Sequence, residues 1–303
     1  MPFEVLTARQ WHARRDAHAT RARALLAGVV ERRSRGQRHP VEDFMFDYYR
    51  LRPGQLVEWH PGVGVLLEDA EELAGRRWYR SHLHEGRELT GVDAAAVATA
   101  RATTLEFTER LLRATSERAP MFGCFGMHEW AMVYGLDPQD VRHAGLPLRF
   151  SPARIREIVD ENGLRCSHYD AFRFFTDEAA PHNQRQLTRE TQVDNDQGGC
   201  LHVNMDLYKF AGKMLPLTPS ELLLDCYELA HDIRALDMQA SAYDVSGWGH
   251  EAVPVETPAG KATYVARQRE FAGRAQVLRQ RLLDVISGLA AAAAPDGDDA
   301  AGC

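Results

Sequence analysis

Apolar side chains recur at helical spacing along most of this chain, and the pattern predicts a protein built mainly from helices. We expect these helices at residues 7–35, 41–50, 93–117, 128–134, 151–162, 202–214, 218–237 and 259–289. The segment Thr218-Pro-Ser-Glu221 has the sequence of a capping box at one of these starts. The last helix carries a stripe of apolar side chains seven residues apart: Tyr264, Phe271, Leu278 and Val285. This stripe should dock on the body of the protein or on a second copy in a homodimer.

Strand character is confined to a few short segments. Val63–Leu67 follows a Pro-Gly turn, and Trp78–Leu83 is the segment expected to pair with it. Residues 164–175 are predicted to contain an extended segment, and residues 176–199 form a polar loop long enough to suggest a function. The fold class is therefore mainly α with a minor β component, in a single compact helical domain over residues 1–289. The alanine-rich residues 290–303 are expected to be a disordered tail.

Composition narrows the protein class. The chain has 303 residues of which 45% are hydrophobic, enough to bury one substantial core. Its formal charge of −7 provides no overall positive field to attract nucleic acid. The five cysteines are widely spaced without a Cys-x-x-Cys pair, which indicates neither a disulfide framework nor a structural zinc site. The sequence shows no secretory signal and no long apolar run, so we expect a cytoplasmic protein without a membrane partner.

Arginine is concentrated in the first predicted helix, between residues 9 and 38. The residues concerned are Arg9, Arg14, Arg15, Arg21, Arg23, Arg32, Arg33, Arg35 and Arg38, against Asp16 and Glu31 alone in the same segment. Such a run is typical of a solvated helix face. It also fits an arm that contacts DNA phosphates, so DNA is a possible partner of this helix.

The densest chemistry lies in two short blocks, Cys166–Asp170 and Cys200–Lys209. They concentrate ionisable and polar groups among otherwise apolar residues: His168, Asp170, His202, Asn204, Asp206, Tyr208 and Lys209. Burying such groups unpaired costs several kcal/mol each, so they must pair with one another or line a site. We expect a site in which the two blocks lie next to each other.

Four residues in these blocks are the candidate catalytic groups: Asp206, His202, Asp170 and His168. His202 and Asp206 stand one helical turn apart, a spacing that lets a carboxylate orient an imidazole or lets both ligate a metal. His168 and Asp170 share one side of the expected extended segment. The alternative for each pair is a satisfied structural contact. His128-Glu129 is interpreted as structural, because adjacent helical residues diverge and at most one faces a given point.

Several blocks of the sequence resemble an actinobacterial family commonly labelled 3-methyladenine DNA glycosylase. They are Phe122–Tyr134, Cys166–Phe175, Gly199–Lys209, Asp232–Arg234 and Asp237–Asp244, and the resemblance covers nearly the whole chain except the tail. It implies a cofactor-free hydrolase of DNA repair that removes alkylated purine bases. Such an enzyme needs a pocket for a flipped base, with stacking aromatic rings and a carboxylate. The residues expected to bind the substrate are Tyr169, Phe172, Tyr208, Lys209, Arg189 and Glu190.

Two other classes of function remain open from the residues. One is a metal- or haem-dependent oxidase or oxygenase of a small molecule, with His168 and His202 as ligands of iron or haem. The other is a non-catalytic helical protein that dimerises through its last helix. Iron or haem bound to the purified protein would favour the first of these over a glycosylase.

Overall fold

The computed structural model describes residues 3–141 and 145–292 and confirms the mainly helical fold with a small sheet. The α-helices are α1 (Ala8–Ser34), α2 (Phe44–Asp47), α3 (Pro53–Val57), α4 (Glu71–Ala74), α5 (Ala94–Ala100), α6 (Ala102–Glu117), α7 (Met127–Ala131), α8 (Pro152–Asn162), α9 (Tyr169–Phe172), α10 (Gln192–Asn195), α11 (Leu201–Lys213), α12 (Ser220–Gln239) and α13 (Pro258–Ala292). Single 3-10 turns lie at Ala180–His182 and Ser246–Trp248. The strands are β1 (Glu4–Leu6), β2 (Val65–Leu67), β3 (Tyr79–His84) and β4 (Arg87–Val92).

The sheet has the order β1-β2-β4-β3, with β1 parallel to β2 and the other pairs antiparallel. The predicted pairing of the segments around β2 and β3 is wrong, because β4 lies between them. β3 and β4 form a hairpin whose turn residues Glu85 and Gly86 both have positive φ. Gly91 of β4 is needed where it stands, since a Cβ there would lie 2.7 Å from the Leu66 side chain. The hydrophobic pattern did not predict β4, because the first half of this strand is polar and Gly91 interrupts the second half.

The core of the protein is built around α11, α12 and α13, which pack against one another, with α6 also against α13. The apolar stripe of α13 is buried on its own chain, as at Tyr264 and Leu282, which are both 0% exposed. Docking on the body is thus the observed role of this stripe. The helix continues to Ala292, past the predicted end at 289, and residues 293–303 of the predicted tail lie outside the described residues.

Two local predictions are corrected around the site. The expected extended segment 164–175 turns into the short helix α9 directly after His168. The predicted capping box at the start of α12 does not form, because Pro219 is the N-cap and no side chain caps the helix. Glu221 instead accepts a hydrogen bond from the Trp59 indole at 2.8 Å, which ties α12 to the turn after α3.

Asn183 is one of the side chains that hold the long segment 176–199 against the site. The Asn183 amide accepts a hydrogen bond from the Cys166 backbone N–H at 2.8 Å and donates one to the Cys166 carbonyl at 3.0 Å. It imitates a strand partner and fixes the backbone just before His168. Among the described residues, no helix combines the length and apolar character that crossing a bilayer requires.

Candidate functional site

His128, His202 and Asp237 converge in the interior, and we call them the His-His-Asp cluster. They come from α7, α11 and α12, which are distant in sequence. His128 Nε2 lies 2.9 Å from Asp237 Oδ1, and His202 Nε2 lies 3.9 Å from Asp237 Oδ2. One donor atom from each of the three residues lies within 4.8 Å of the others. Because these helices approach one another closely, three side chains that could bind one metal ion lie together.

The contact between His128 and Asp237 is a close, buried ion pair. Their Nε2 and Oδ1 atoms lie 2.9 Å apart, the pair raises the pKa of His128 and lowers that of Asp237, and neither atom has a further hydrogen-bond partner among the described residues. The two residues are only 7% and 0% exposed, so water has little access to them. A metal ion that used both atoms as ligands would have to displace the proton of this pair.

Arg234 holds the carboxylate of this cluster in place. Its guanidinium donates to Asp237 Oδ2 at 2.7 Å and to Glu129 Oε1 at 2.9 Å, and it lies 4.1 Å from the centre of the Phe44 ring. Arg234 is 2% exposed. Asp237 Oδ1 is thereby left to contact His128, while Oδ2 lies between Arg234 and His202. Such supporting hydrogen bonds are how proteins orient metal-binding carboxylates.

The electrostatics of the cluster favour an ionised Asp237 carboxylate, the neutral form of His202 and the protonated form of His128. Burial lowers the pKa of His202 well below its ordinary range, and the neighbouring His128 lowers it further. Burial also opposes the charge on His128, but the Asp237 carboxylate outweighs it and the pKa of His128 is raised. For Asp237, burial raises the pKa while the two histidines and Arg234 outweigh it, leaving the pKa far below its usual range.

A second group, which we call the Lys209 cluster, contains His168, Asp170, Asp206 and Lys209. The three possible metal ligands among them lie within 4.8 Å of one another. Lys209 Nζ, however, donates to Asp170 Oδ2 at 3.1 Å and to Asp206 Oδ2. Burial lowers the pKa of Lys209, but the two carboxylates outweigh it and the pKa is raised above its ordinary value. The Lys209 cluster therefore already contains its cation.

His168 connects the two clusters. Its Nδ1 lies 2.9 Å from Asp196 Oδ1, and Gln192 donates to the other oxygen of Asp196 at 3.0 Å. The His168 ring stacks on the His202 ring with 6.0 Å between centroids, and the His128 ring meets His202 edge-on at 4.3 Å. The predicted proximity of the two chemical blocks is confirmed. Asp196 comes from the long segment 176–199, so this loop contributes directly to the site.

A path leads from the surface to the His-His-Asp cluster. His128 and His202 line a cavity of about 20 Å³, room for roughly one water molecule. The cavity adjoins a surface crevice of about 220 Å³. Both are lined by Cys124, Arg165, Cys166, Ser167 and Gln197.

The thiols beside this path are uncharged. Burial raises the pKa of Cys166 to about 12 and raises the pKa of Cys200 well above its ordinary value. A thiol with a raised pKa is neither a nucleophile nor a ready metal ligand. The imidazoles and the carboxylate are therefore the reactive groups here.

The residues expected to bind a substrate are dispersed. Tyr208 is 0% exposed and packs in the core between the rings of Tyr49 and Tyr227. Tyr169 and Phe172 are half-buried against the core.

Arg189 is exposed, with its guanidinium 5.8 Å from the Tyr169 ring centre, and Glu190 is exposed beside it. Lys209 is engaged by the two carboxylates of its cluster. In the described parts of the chain, neither the cavity nor the crevice is lined by Tyr169, Phe172, Arg189 or Glu190.

Sequence reasoning missed three members of the site: His128, Asp237 and Asp196. The signal that could have found Asp237 is its helix, since Arg234 and Asp237 stand three residues apart on the apolar, buried face of α12. Charges inside such a helix need partners, which points to His128-Glu129 as the complementary pair. Asp196 had no comparable signal in the sequence.

The arginine-rich helix α1 is largely neutralised by the protein itself. Arg21 contacts Asp225 and Glu228, each at 2.7 Å, and Arg14 contacts Glu4 at 2.6 Å. Carboxylates likewise pair with Arg15, Arg32, Arg33, Arg35 and Arg38. Most of the positive charge that suggested a DNA-binding arm is therefore neutralised by carboxylates of the same chain.

Comparison of the chain with protein-family models, with curated proteins and with solved structures found no match.

Proposed function

We propose that this protein is a mononuclear metalloenzyme in which His128, His202 and Asp237 bind one divalent transition metal. The observation that carries the proposal is the convergence of His128, His202 and Asp237 in the interior, with His128 Nε2 only 2.9 Å from Asp237 Oδ1. Two ligand atoms that lie about 2.1 Å from one metal ion, at right angles, are about 3.0 Å apart. The separation thus fits a pair of ligands, and a small rotation of His202 would complete the set.

The ligand set favours iron(II). Two imidazoles and one carboxylate are the set used by non-haem iron oxygenases, in which the remaining positions take oxygen and substrate. A cavity of about 20 Å³ beside the histidines suits a bare ion with a small ligand and not a porphyrin. We therefore propose an oxidase or oxygenase of a small molecule, with zinc-dependent hydrolysis as the alternative for the same ligands.

The protein's own groups would divide the work around the metal. Arg234 fixes the carboxylate, burial keeps His202 neutral, and the His168 ring supports the far face of His202. The metal would supply a Lewis acid or a redox centre. The narrow cavity restricts what reaches it from the crevice.

The glycosylase activity implied by the resemblance stays a prediction, and fewer observations support it. A flipped base needs a pocket with aromatic rings on which to stack. Of the aromatic rings among the described residues, Phe175 alone lines the inner cavity, and none lines the outer crevice. The ion-paired arginines of α1 also leave little charge for phosphate contacts.

The test is metal content after anaerobic reconstitution with iron(II), measured for the wild-type protein and for Asp237→Asn and His202→Asn. Asp232→Asn is the control, because Asp232 lies on the same helix and contacts only Arg274 at the surface. We expect one metal ion per chain in the wild type and the control, and none in the two ligand variants.

Folding of each variant is checked by circular dichroism. Equal metal content in the wild type and folded ligand variants would overturn the proposal. So would release of free base from alkylated duplex DNA by metal-free protein.

A further inference from the structure

The crevice above the His-His-Asp cluster has an unbalanced charge. Of the described residues, Arg165 and Arg185 are the only charged ones that line it, and no carboxylate does. Arg165 makes no hydrogen bond or ion pair within the described residues, and Arg185 donates only to the neutral Asn195 amide at 3.2 Å. Both arginines are exposed. Their positive charge is therefore directed at whatever enters the crevice.

Nearby arginines behave differently. Arg154 of α8 contacts Glu157 at 2.8 Å and Glu161 at 3.4 Å, and Arg156 contacts Glu178 at 2.6 Å. Arg154 and Arg156 thus have carboxylate partners, whereas the two arginines at the crevice have none among the described residues. The difference points to a ligand as the missing anion.

The positions of the two arginines are fixed by one buried side chain. Asn183, 4% exposed, bonds the backbone of Cys166, which follows Arg165. The same amide donates to the carbonyl of Arg185 at 2.6 Å. The backbone segments that carry Arg165 and Arg185 are therefore held together before any ligand arrives. Such preorganisation reduces the entropy lost on binding.

The floor of the crevice is also held in place by hydrogen bonds. The Gln197 amide oxygen accepts hydrogen bonds from the backbone N–H groups of Met121 at 2.8 Å and Gly199 at 2.7 Å. Ser167 and Gln184 add neutral polar groups to the lining. A volume of about 220 Å³ is below the roughly 300–1,000 Å³ of pockets for drug-sized ligands. The occupant should be no larger than a small metabolite.

We infer that Arg165 and Arg185 bind the anionic group of the substrate, a carboxylate or a phosphate on a small organic molecule. The inference rests on the proposed function, because the crevice leads to the metal ligands His128 and His202. Guanidinium groups bind both anions through paired hydrogen bonds. The anionic group would stay at the mouth while the remainder of the molecule extends towards the cavity. The crevice would then determine which class of substrate binds, and the metal would determine which class of reaction occurs.

The experiment measures binding of anionic probes to metal-free protein by titration calorimetry. The probes are succinate, inorganic phosphate and the neutral succinamide. The variants are Arg165→Gln, Arg185→Gln and the double substitution, with Arg154→Gln as the exposed, ion-paired control. We expect each single substitution to weaken binding of the preferred anion about tenfold, which corresponds to about 1.4 kcal/mol, one charge-assisted hydrogen bond. The control should bind like the wild type, and succinamide should not bind.

The two anionic probes identify the anionic group of the substrate. Preference for succinate indicates a carboxylate, and preference for inorganic phosphate indicates a phosphate ester. Unchanged binding of both anions in the double variant would overturn the inference, as would equal binding of succinamide. Because metal-free protein is used, the result is independent of metal content. Anion binding by a wild-type protein that takes up no metal would support this inference while the proposed function fails.

Discussion

His128 Nε2 and Asp237 Oδ1 lie 2.9 Å apart in the interior as an ion pair with no further hydrogen-bond partner among the described residues. In the proposed function both atoms are ligands of one metal ion, and an ion that binds only the folded chain stabilises it. Metal should therefore stabilise the folded protein. At a free metal concentration 100 times the Kd, the gain in unfolding free energy is about 2.7 kcal/mol. We expect the Tm of the metal-free protein to rise on addition of iron(II) or zinc.

Asp237→Asn should abolish this rise, whereas Asp232→Asn should retain it. Differential scanning fluorimetry over a range of metal concentrations measures both. A rise of equal size in Asp237→Asn would mean that the metal binds elsewhere.

Arg234 should be essential to the same interior. Arg234→Met removes the guanidinium that donates hydrogen bonds to both Glu129 and Asp237. Removing one partner of a buried ion pair costs about 3–5 kcal/mol, so the variant should be that much less stable to urea. Arg274→Met, which loses a half-exposed contact with Asp232, should cost no more than about 1 kcal/mol. Similar losses in both variants would show that the buried pair contributes little.

The substitution Asp206→Asn tests which of the two clusters binds the metal. It leaves the Lys209 ammonium with Asp170 as its remaining carboxylate, and loss of a charged hydrogen bond costs about 1.5–3 kcal/mol. The metal, held by the other cluster, should remain. Urea unfolding and metal analysis of one preparation test both statements. Loss of metal at unchanged stability would instead identify the Lys209 cluster as the metal site.

Neighbouring glycines before α11 provide a matched pair. A Cβ on Gly199 would lie 2.3 Å from the Met121 carbonyl oxygen, whereas one on Gly198 would meet nothing closer than 3.9 Å. Gly199→Ala should destabilise the protein by about 1–3 kcal/mol, since backbone must move to make room. Gly198→Ala should be nearly neutral. Thermal unfolding of the two variants decides the point, and equal Tm values would contradict the close approach.

Stability should fall in mild acid because of His18. The ring donates to the Leu56 carbonyl at 2.9 Å, its other nitrogen has no hydrogen-bond partner among the described residues, and burial lowers its pKa below 6.5. The unfolded chain therefore binds a proton that the folded chain resists, and stability is lost as pH falls below about 6.5. His18→Gln keeps a donor for Leu56 but does not titrate. Its Tm should drop less than that of the wild type between pH 7.5 and pH 5.5.

The long helices were predictable because their signals are local. Thr7 and Gln10 form a reciprocal capping box at the start of α1, and Ser151 caps α8. The short strands were less so, since β4 combines exposed polar residues with a glycine whose role is set by contact with Leu66. Strand pairing depends on partners distant in sequence, which periodicity does not reveal.

Part of the site was also predictable from local signals in the sequence. His168 and His202 were found because each lies in a dense polar block, and their rings do stack. His128 was interpreted as structural because adjacent residues of a helix diverge, so that His128 and Glu129 cannot both face one point. Its partner Asp237 is more than a hundred residues away, and only the packing of α7 on α12 brings the two together.

The three proposed metal ligands come from separate helices. No part of the unfolded chain presents them together, so under the proposed function an ion would load only after folding. Its proposed route is the crevice that Arg165 and Arg185 overlook. Two positive charges at the mouth would slow the arrival of a free cation and favour delivery as a complex with an anionic carrier. An occupant of the crevice would also retain the ion, so we expect the metal to be lost more slowly in its presence.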